Sequence, residues 1–427
     1  MVLALASALS AHAWAGLAPP RPAATRAWVT LRTDPEPAGR GVRAVADLDG
    51  RRVLLEAYGG VGRRLRSELA GVQLLVVGRS GPVPPNQRAR WAARHVGAVV
   101  AVESVLDRAE GAPYGRAANR VRRLLESGVA SWPATERALF LGLVIGDDRA
   151  QPTTLVDDFR TAGLSHLTAV SGQNVAFVLI AASPLLRRLR PTARWGATVI
   201  LVMWFAALTR FEPSVLRATG MAALAATAFW RGWRAGPVRL LALSVLGLTL
   251  VDPLLVHSVG WWLSVGATGG LALFARPLAG VVPGPTWFSE PLAVTLAAQL
   301  GILPISLLVF GRVSLLGPIA NLLAVPVAGF VMVWGIPAGL VAGAVPVSAS
   351  ILHAPSLVAT RWVAVVAQLA ARLEPGWSPV VVTTLQGCLL GGVIAGHRHR
   401  RRRRSALASD AGPELRSGLP GTGRRGR

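Results

Sequence analysis

Residues 143–177 read LVIGDDRAQPTTLVDDFRTAGLSHLTAVSGQNVAF, and this stretch decides the fold. An apolar run ends at Gly146, two acidic pairs follow, and after Gly163 a helical pattern carries polar side chains into the apolar run 175–182. Polar groups beside sequence of this kind are costly in lipid unless they face protein or water. The stretch is therefore the first place to look for function.

The composition is that of a polytopic membrane protein. The chain has 427 residues, is 52% hydrophobic, has a mean hydropathy of +0.47 and contains several apolar stretches of about 20 residues. Its net charge of +24 is carried by arginine and suits either a polyanionic partner or a bias of arginine toward cytoplasmic loops. The single cysteine, Cys388, excludes an intramolecular disulfide, and the seven histidines show no metal-binding spacing. We therefore expect no metal and no cofactor.

The first part of the chain divides into a helix and a β-rich segment. Residues 1–18 predict an N-terminal transmembrane helix; a cleaved signal peptide is the alternative, but no positive residue precedes the apolar run. Residues 27–110 form short β-prone runs between turn signals, and Asp49-Gly50 predicts a hairpin. The runs lie at 28–31, 42–48, 51–58, 72–77 and 96–105. They predict a small β-barrel or sandwich.

Helical sequence follows to residue 396. Residues 113–132 predict a basic amphipathic helix, either on the membrane surface or as a solvated connector. The apolar run 138–145 is too short to cross a bilayer, so we expect an interfacial or re-entrant element. Within 138–396, nine further spanning candidates lie near 165–186, 195–209, 214–230, 238–256, 261–275, 291–310, 315–341, 351–371 and 377–396.

Charge sets the predicted orientation. The arginine-rich tail 397–427 should be cytoplasmic. Counting spans backwards places the arginine-rich loops 187–194 and 231–239 in the cytoplasm too, and the β-rich segment outside. With one helix at the N terminus, both chain ends are cytoplasmic. The predicted fold is an α-helical polytopic membrane protein of about ten transmembrane helices with a small extracytoplasmic β-barrel domain.

Polar side chains in the 165–186 segment predict a stripe. On one helix, His166, Gln173 and Asn174 fall within roughly a 100° arc, because seven residues return the chain to nearly the same face. Ser171 lies beside Asn174. A water-filled path and hydrogen bonding between packed helices both explain such a stripe.

Charged residues precede the stripe. They are Asp147, Asp148, Arg149, Asp157, Asp158 and Arg160. The two acidic pairs predict either a divalent-cation site or the stabilisation of helix starts, of which capping is the commoner role.

A second candidate group surrounds Pro213. Arg210, Ser214 and Arg217 are spaced to share a helix face, and Glu212 before Pro213 predicts the helix start. Arg217 should lie below the membrane interface, where it needs a carboxylate or a passing anion. An arginine that faces a pore would contact phosphates without reading sequence.

Amides and helix breakers interrupt two later apolar segments. We expect Pro304 and Pro326 to break helices near Gln299 and Asn321, and a channel or transporter centre would explain such breaks.

Five sequence blocks resemble the ComEC/Rec2 competence proteins in order and spacing. They are GDDRA, LVDDFRTAGLSHLTAVSGQNVAF, SVLRATGMA, WWLSVGATGGLALF and AAQLGILPISLLVFGRVSLLGPIANLLAVPVAG. The resemblance covers about 138–340, and the β-rich segment lies where that family carries an extracytoplasmic OB-like domain, the DUF4131 region. The matching positions are Gly146, Asp147, Arg149, Phe159, Arg160, Gly163, His166, Ser171, Gly172, Arg217, Ser264, Gln299, Pro304, Asn321 and Pro326.

The resemblance implies an inner-membrane channel component that imports single-stranded DNA during natural transformation. Its implied partners are single-stranded DNA, membrane lipid, a DNA receptor, and a cytoplasmic translocase or nuclease; a homo-oligomer is a further option. The sequence departs from the family at Gln173-Asn174, where a Leu-His pair is common. It also shows no counterpart of the C-terminal metallo-β-lactamase-like domain, so we expect no nuclease or other enzymatic activity. A transporter or scaffold with a competence-like core acting on another substrate is the alternative.

Overall fold

The structure is a computed structural model that describes residues 2–15, 17, 22–168, 171–311, 313–378, 380–385, 387–388, 391–392 and 395–396. Residues 22–112 form a sheet domain, and residues 113–378 form a helical core. The strands are β1 (Ala23–Leu31), β2 (Glu36–Ala38), β3 (Gly41–Leu48), β4 (Arg51–Tyr58), β5 (Gln73–Pro82) and β6 (Val96–Ala109). Five of them lie where the β-prone runs predict strands. The predicted tail, 397–427, lies outside the described residues, and so does part of the predicted last span, 377–396.

The sheet is curled and mostly antiparallel. Its strand order is β1-β5-β6-β4-β3-β2, and only β4 and β6 pair in parallel. The predicted hairpin at Asp49-Gly50 is confirmed, because both residues have positive φ and join β3 to β4. The prediction of a closed barrel is wrong: β1 meets β3 at only two residue positions, against eight between β1 and β5. Alternating apolar side chains, among them Leu55 and Val76, fill the inner face of the sheet.

Fifteen α-helices lie within the described residues up to Leu373. In chain order they are α1 (Val2–Ala15), α2 (Gly59–Arg66), α3 (Arg88–Ala92), α4 (Pro113–Gly128), α5 (Ala134–Ile145), α6 (Thr153–Thr161), α7 (Ser165–Thr168), α8 (Gly172–Leu186), α9 (Pro191–Leu208), α10 (Pro213–Trp230), α11 (Pro237–Val251), α12 (Val259–Ala279), α13 (Thr286–Phe310), α14 (Gly317–Ala344) and α15 (Ala349–Leu373). Helices α4, α9, α10 and α11 begin at a proline, whose fixed φ suits the first helical turn.

Four helices are long and apolar enough to cross a membrane among the residues described. They are α9, α13, α14 and the part of α15 from Ile351 to Leu373, and they indicate a membrane protein. This is fewer than the predicted ten or so. Helices α1, α8 and α11 have 14 or 15 residues, and at 1.5 Å per residue they are shorter than a hydrocarbon layer of about 30 Å.

Helix α14 lies at the centre of the helical core and contacts α4, α5, α8 and α15. Small buried residues line it, such as Ala328 and Gly335, so its neighbours approach closely. The run 138–145 is buried inside this core as part of α5.

The predicted helix breaks at Pro304 and Pro326 are wrong. Helix α13 continues through Pro291 and Pro304, and α14 continues through Pro326 and Pro337. Proline removes one backbone donor, and packed neighbouring helices compensate for that loss at membrane depth.

Candidate functional site

Six polar residues meet where the sheet domain contacts the helical core. This junction cluster consists of Asp34, Asn119, Arg122, Asp147, Arg149 and Arg210. Its members come from four segments: the loop after β1, helix α4, the loop after α5 and the loop after α9. The cluster therefore joins parts of the chain that are far apart in sequence.

Arg122 is the most buried charge of the junction cluster, with 5% of its side chain exposed. Its Nη2 donates to Asp34 Oδ2 at 2.8 Å and to Asp147 Oδ2 at 3.1 Å. Its Nη1 donates to the carbonyl oxygens of Ile145 at 3.3 Å and Leu208 at 3.2 Å. One guanidinium thus binds the sheet domain, the end of α5 and the end of α9.

Arg210 approaches Asp34 from the other side. Its Nη2 donates to Asp34 Oδ1 at 2.9 Å and to Asn119 Oδ1 at 2.7 Å. Asn119 Nδ2 in turn donates to the carbonyl oxygen of Ala70 at 3.0 Å. Arg210 and Phe211 have φ of 62° and 56°, a left-handed conformation that costs a non-glycine residue energy. The contacts of Arg210 hold this turn in place.

The spacing predicts that Arg210 and Arg217 share a helix face, and this prediction is wrong. Helix α10 begins at Pro213, as expected, so Arg210 precedes the helix and points into the junction.

Asp147 completes the cluster. It accepts from Arg149 Nε at 2.8 Å and from Arg149 Nη2 at 2.6 Å, a bidentate pair. Burial raises the pKa of Asp34 and Asp147, but Arg122 and its neighbouring guanidinium groups outweigh burial and hold both pKa values below the usual range. Three guanidinium groups face two carboxylates, so the cluster carries one excess positive charge.

A polar cleft of about 250 Å³ adjoins the junction cluster. We call it the junction cleft. Four arginines and two glutamates line it: Arg66, Arg108, Arg123, Arg149, Glu68 and Glu126. Arg108 Nε donates to Glu68 Oε2 at 3.0 Å. Arg149 belongs to both features and so connects the cleft to the cluster.

Arg217 lies apart from the junction, inside the helical core. It is 5% exposed, and its Nε donates to Ser264 Oγ on α12 at 2.9 Å. Its Nη1 lies 3.1 Å from Met221 Sδ. Within the part of the chain that the structure describes, no carboxylate forms an ion pair with Arg217, so of the two partners that its burial predicts, a carboxylate or an anion, the carboxylate is not found there.

The predicted stripe does not lie on one helix. Ser171 has extended backbone and caps α8, accepting from the Gln173 N–H at 3.3 Å, so His166 lies on the separate helix α7. Asn174 is buried, and its Nδ2 donates to the carbonyl oxygen of Leu143 at 3.2 Å. This hydrogen bond joins α8 to α5. It agrees with the second of the two explanations of the stripe, hydrogen bonding between packed helices.

The acidic pairs do not cap helices. Helix α6 begins at Thr153, so Asp157 and Asp158 lie within it, and Asp157 forms an exposed ion pair of 2.8 Å with Arg160. Asp147 and Asp148 follow the end of α5, where Gly146 is the C-cap. Burial raises the pKa of Asp148.

The amides of the later helices make local contacts. Gln299 Nε2 donates to the carbonyl oxygen of Ser314 at 3.4 Å, and Asn321 Nδ2 donates to that of Gly317 at 2.9 Å. His166 lies close to Asn321. Asn321 and Pro326 also line a cavity of about 590 Å³ between α13 and α14.

Sequence reasoning missed Asp34 and Asn119. Asp34 follows a strand in a Pro-rich turn, where an acidic residue is ordinary, and Asn119 lies inside a helix whose arginines attract attention first. Only their distance from Arg122 and Arg210 identifies them.

The comparisons with known proteins decide the family. The sequence profile described as "Competence protein" matches residues 143–399, which is more than half of the chain. The chain belongs to the competence protein family. Half of the junction cluster, Asp147, Arg149 and Arg210, lies inside the region that matches this family. The other half precedes it, so the cluster attaches the matched region to the segments before it.

Three relatives illustrate the similarity. The chain is 29% identical to the uncharacterized protein YcaI of Escherichia coli over 47% of this chain and 28% of that protein. It is 28% identical to ComE operon protein 3 of Bacillus subtilis over 49% and 27%. It is also 28% identical to competence protein ComA of Neisseria gonorrhoeae over 49% and 30%. The matches thus span less than a third of each of these relatives. No solved structure matches the chain.

Proposed function

We propose that this chain is part of a membrane conduit that imports single-stranded DNA during natural transformation. The observation that carries the proposal is the excess of arginine over acidic side chains at the junction. The junction cleft and the adjoining junction cluster together contain six arginines, two glutamates and two aspartates, because Arg149 belongs to both. Excess guanidinium charge suits a phosphate backbone, which it binds without reading sequence. Membership of the competence protein family supports DNA as the polyanion.

The sheet domain is proposed to capture the strand as an OB-like module. The approach of β1 to β3 supports this reading, because OB folds are partly open barrels. Trp28 on β1 and Tyr58 on β4 are 44% and 60% exposed. Exposed aromatic rings of this kind stack on the bases of single strands.

The proposed orientation follows the positive-inside rule. The sheet domain lies outside the cytoplasm, the arginine-rich loops 187–194 and 231–239 lie inside, and both chain ends are cytoplasmic after about ten spans. A DNA receptor would deliver the strand, and a cytoplasmic translocase or nuclease would act with a chain that has no enzymatic activity of its own.

The first experiment measures import of fluorescently labelled DNA into the cytoplasm of a deletion strain. We expect import to stop in that strain and to return with the wild-type gene. Replacing Arg66 and Arg123 together by serine should reduce import, because both line the junction cleft. Arg160→Ser is the matched control, since Arg160 is exposed and lies outside the cleft and the cluster. Import that continues at the wild-type rate in the deletion strain would refute the proposal.

A transporter of a small amphipathic substrate is the second candidate. The cavity between α13 and α14 favours it, because that cavity is lined mainly by apolar side chains together with Glu290 and Asn321. This alternative predicts that DNA import ignores the gene. It also predicts that the deletion strain differs from wild type in growth on, or resistance to, some small amphipathic compound. Glu290→Gln should then alter growth on, or resistance to, the same compound.

A further inference from the structure

We propose that Arg217 and the first turn of α8 form a binding site for one phosphate group of a phosphodiester. The site lies in the helical core and is separate from the junction cluster. It deepens the proposed function by naming a point where the core would hold the strand, and its assignment to nucleic acid rests on that function. Three helices supply the site: Gly172 from α8, Arg217 from α10 and Ser264 from α12.

Arg217 carries a charge that its surroundings do not compensate. The side chain is 5% exposed, and it bonds to a hydroxyl and a thioether, those of Ser264 and Met221. No carboxylate of the described residues neutralises it. Removing a guanidinium from water costs several kcal/mol unless a counter-charge is present. An anion would supply that counter-charge.

The guanidinium of Arg217 points toward the start of α8. A Cβ built on Gly172 would lie 2.7 Å from Arg217 Nη2, which is closer than a carbon atom tolerates. Arg217 Nη2 therefore lies against the first turn of that helix, in space that only glycine leaves open. This Nη2 donates no hydrogen bond to any group in the described ranges.

The start of α8 supplies a second donor. Helix α8 has 15 residues, and the Ser171 side chain accepts the Gln173 N–H. The Gly172 N–H donates to no group that the structure describes. The first turn of a helix carries partial positive charge and free N–H donors, which bind phosphate. The N–H of Gly172 and the Nη2 of Arg217 thus offer donors to one oxyanion.

A phosphodiester can come from a nucleic acid or from a phospholipid headgroup. The experiment separates the two sources. The full chain is purified in dodecyl maltoside, which carries no phosphate, and binding of labelled tetrathymidylate is measured by equilibrium dialysis. Labelled dioleoylphosphatidylglycerol is then added to the micelles, both alone, so that its own binding is measured, and as a competitor of tetrathymidylate.

We expect Arg217→Gln and Gly172→Ala each to weaken tetrathymidylate binding about tenfold or to remove one bound molecule per chain, because each removes a charge-assisted hydrogen bond. Gly172→Ala keeps the arginine but pushes Nη2 away, so it tests the geometry even if Arg217→Gln folds poorly. Gly196→Ala on α9 is the matched control, because a Cβ there meets nothing within 4 Å. Unchanged binding in both site variants would overturn the proposal.

The other outcomes are equally decisive. If phosphatidylglycerol binding depends on Arg217 and Gly172 while tetrathymidylate does not bind, the site exists and holds a lipid headgroup. If DNA import requires the gene but both substitutions leave tetrathymidylate binding unchanged, the site is refuted and the proposed function stands. If both substitutions weaken tetrathymidylate binding but DNA import continues without the gene, the proposed function fails and the site stands.

Discussion

Asp34 is the residue on which the junction cluster depends. Its carboxylate accepts from Arg122 and Arg210 and from the backbone N–H of Ala70 at 2.8 Å. Both arginines belong to the helical core, whereas Asp34 belongs to the sheet domain. One side chain of the sheet domain therefore forms ion pairs with two arginines of the core.

Asp34→Ala should destabilise the protein by about 3–5 kcal/mol, because it leaves two buried guanidinium groups short of a counter-charge. The measurement is the free energy of unfolding in detergent. Asp157→Ala is the control, since Asp157 forms an exposed pair with Arg160 and its loss should cost less than about 1 kcal/mol. Equal losses in the two variants would contradict the central place of Asp34.

The same carboxylates make the stability of the protein depend on pH in the acidic range. The pKa values of Asp34 and Asp147 in the folded protein lie below the unfolded value of about 3.9. A carboxylate with a lowered folded pKa stabilises the fold above its unfolded pKa, and this contribution disappears as pH falls through the folded pKa. Stability should therefore fall below about pH 4.

Thermal unfolding measured between neutral pH and strongly acidic pH tests this sign. In Asp34→Asn the melting temperature should fall less steeply as the pH is lowered, because the substituted side chain no longer titrates. Asp157→Asn, a change at an exposed position, should keep the wild-type slope. If the melting temperature of Asp34→Asn depends on pH as steeply as that of the wild type, other groups cause the loss of stability in acid.

At the scale of elements, helices α12 and α13 pack with their backbones in close contact. Gly266 and Gly270 on α12 form a GxxxG pattern that faces Gly301 on α13. A Cβ on Gly301 would overlap the carbonyl oxygen of Gly266, and one on Gly266 would lie 2.6 Å from that of Gly301. The two backbones touch because neither helix carries a side chain there.

Gly301→Ala should cost about 1–3 kcal/mol, because the helices must separate to admit one methyl group. Gly247→Ala on α11 is the control, since a Cβ there meets nothing within 4 Å. Circular dichroism during thermal unfolding in detergent compares the two variants. Two equal melting temperatures would contradict the close approach of α12 and α13.

At the scale of the whole molecule, two polar contacts among the described residues join the sheet domain to distant parts of the helical core. One is the junction cluster, and the other is His95 on the sheet side, whose Nε2 lies 2.7 Å from Asp252 Oδ1 in the loop after α11. His95 has φ of 59°, so its backbone is held in an uncommon conformation at this contact. The junction cleft opens between the two parts of the molecule.

Binding of single-stranded DNA to the purified chain should weaken steeply with salt, because neutralising phosphates releases counterions. Removing Arg66 and Arg123 together should lower the slope of log affinity against log salt by about 0.7 for each phosphate that the variant no longer neutralises. Fluorescence anisotropy with labelled oligothymidylate at several salt concentrations measures this slope, with Arg160→Ser as the control. An unchanged slope would show that the junction cleft does not bind the DNA backbone.

The sequence by itself determines the local structure and the family. The β-prone runs, the Asp49-Gly50 turn and the helix start at Pro213 follow from periodicity and turn chemistry over a few residues, and the structure confirms them. The sequence blocks likewise identify the competence protein family. Predictions that assumed regular local geometry across a break were wrong, as for His166 with Gln173, because the chain leaves the helix at Ser171.

Only the tertiary structure decided which charges meet. Asp34 and Arg210 are 176 residues apart, and nothing in either local sequence marks them as partners. Gly172, Arg217 and Ser264 converge in the same way from three helices. Local pattern depends on neighbours along the chain, whereas the pairing of buried polar groups depends on how helices and sheet pack. The charge of the candidate sites is therefore visible in the sequence, but their geometry is not.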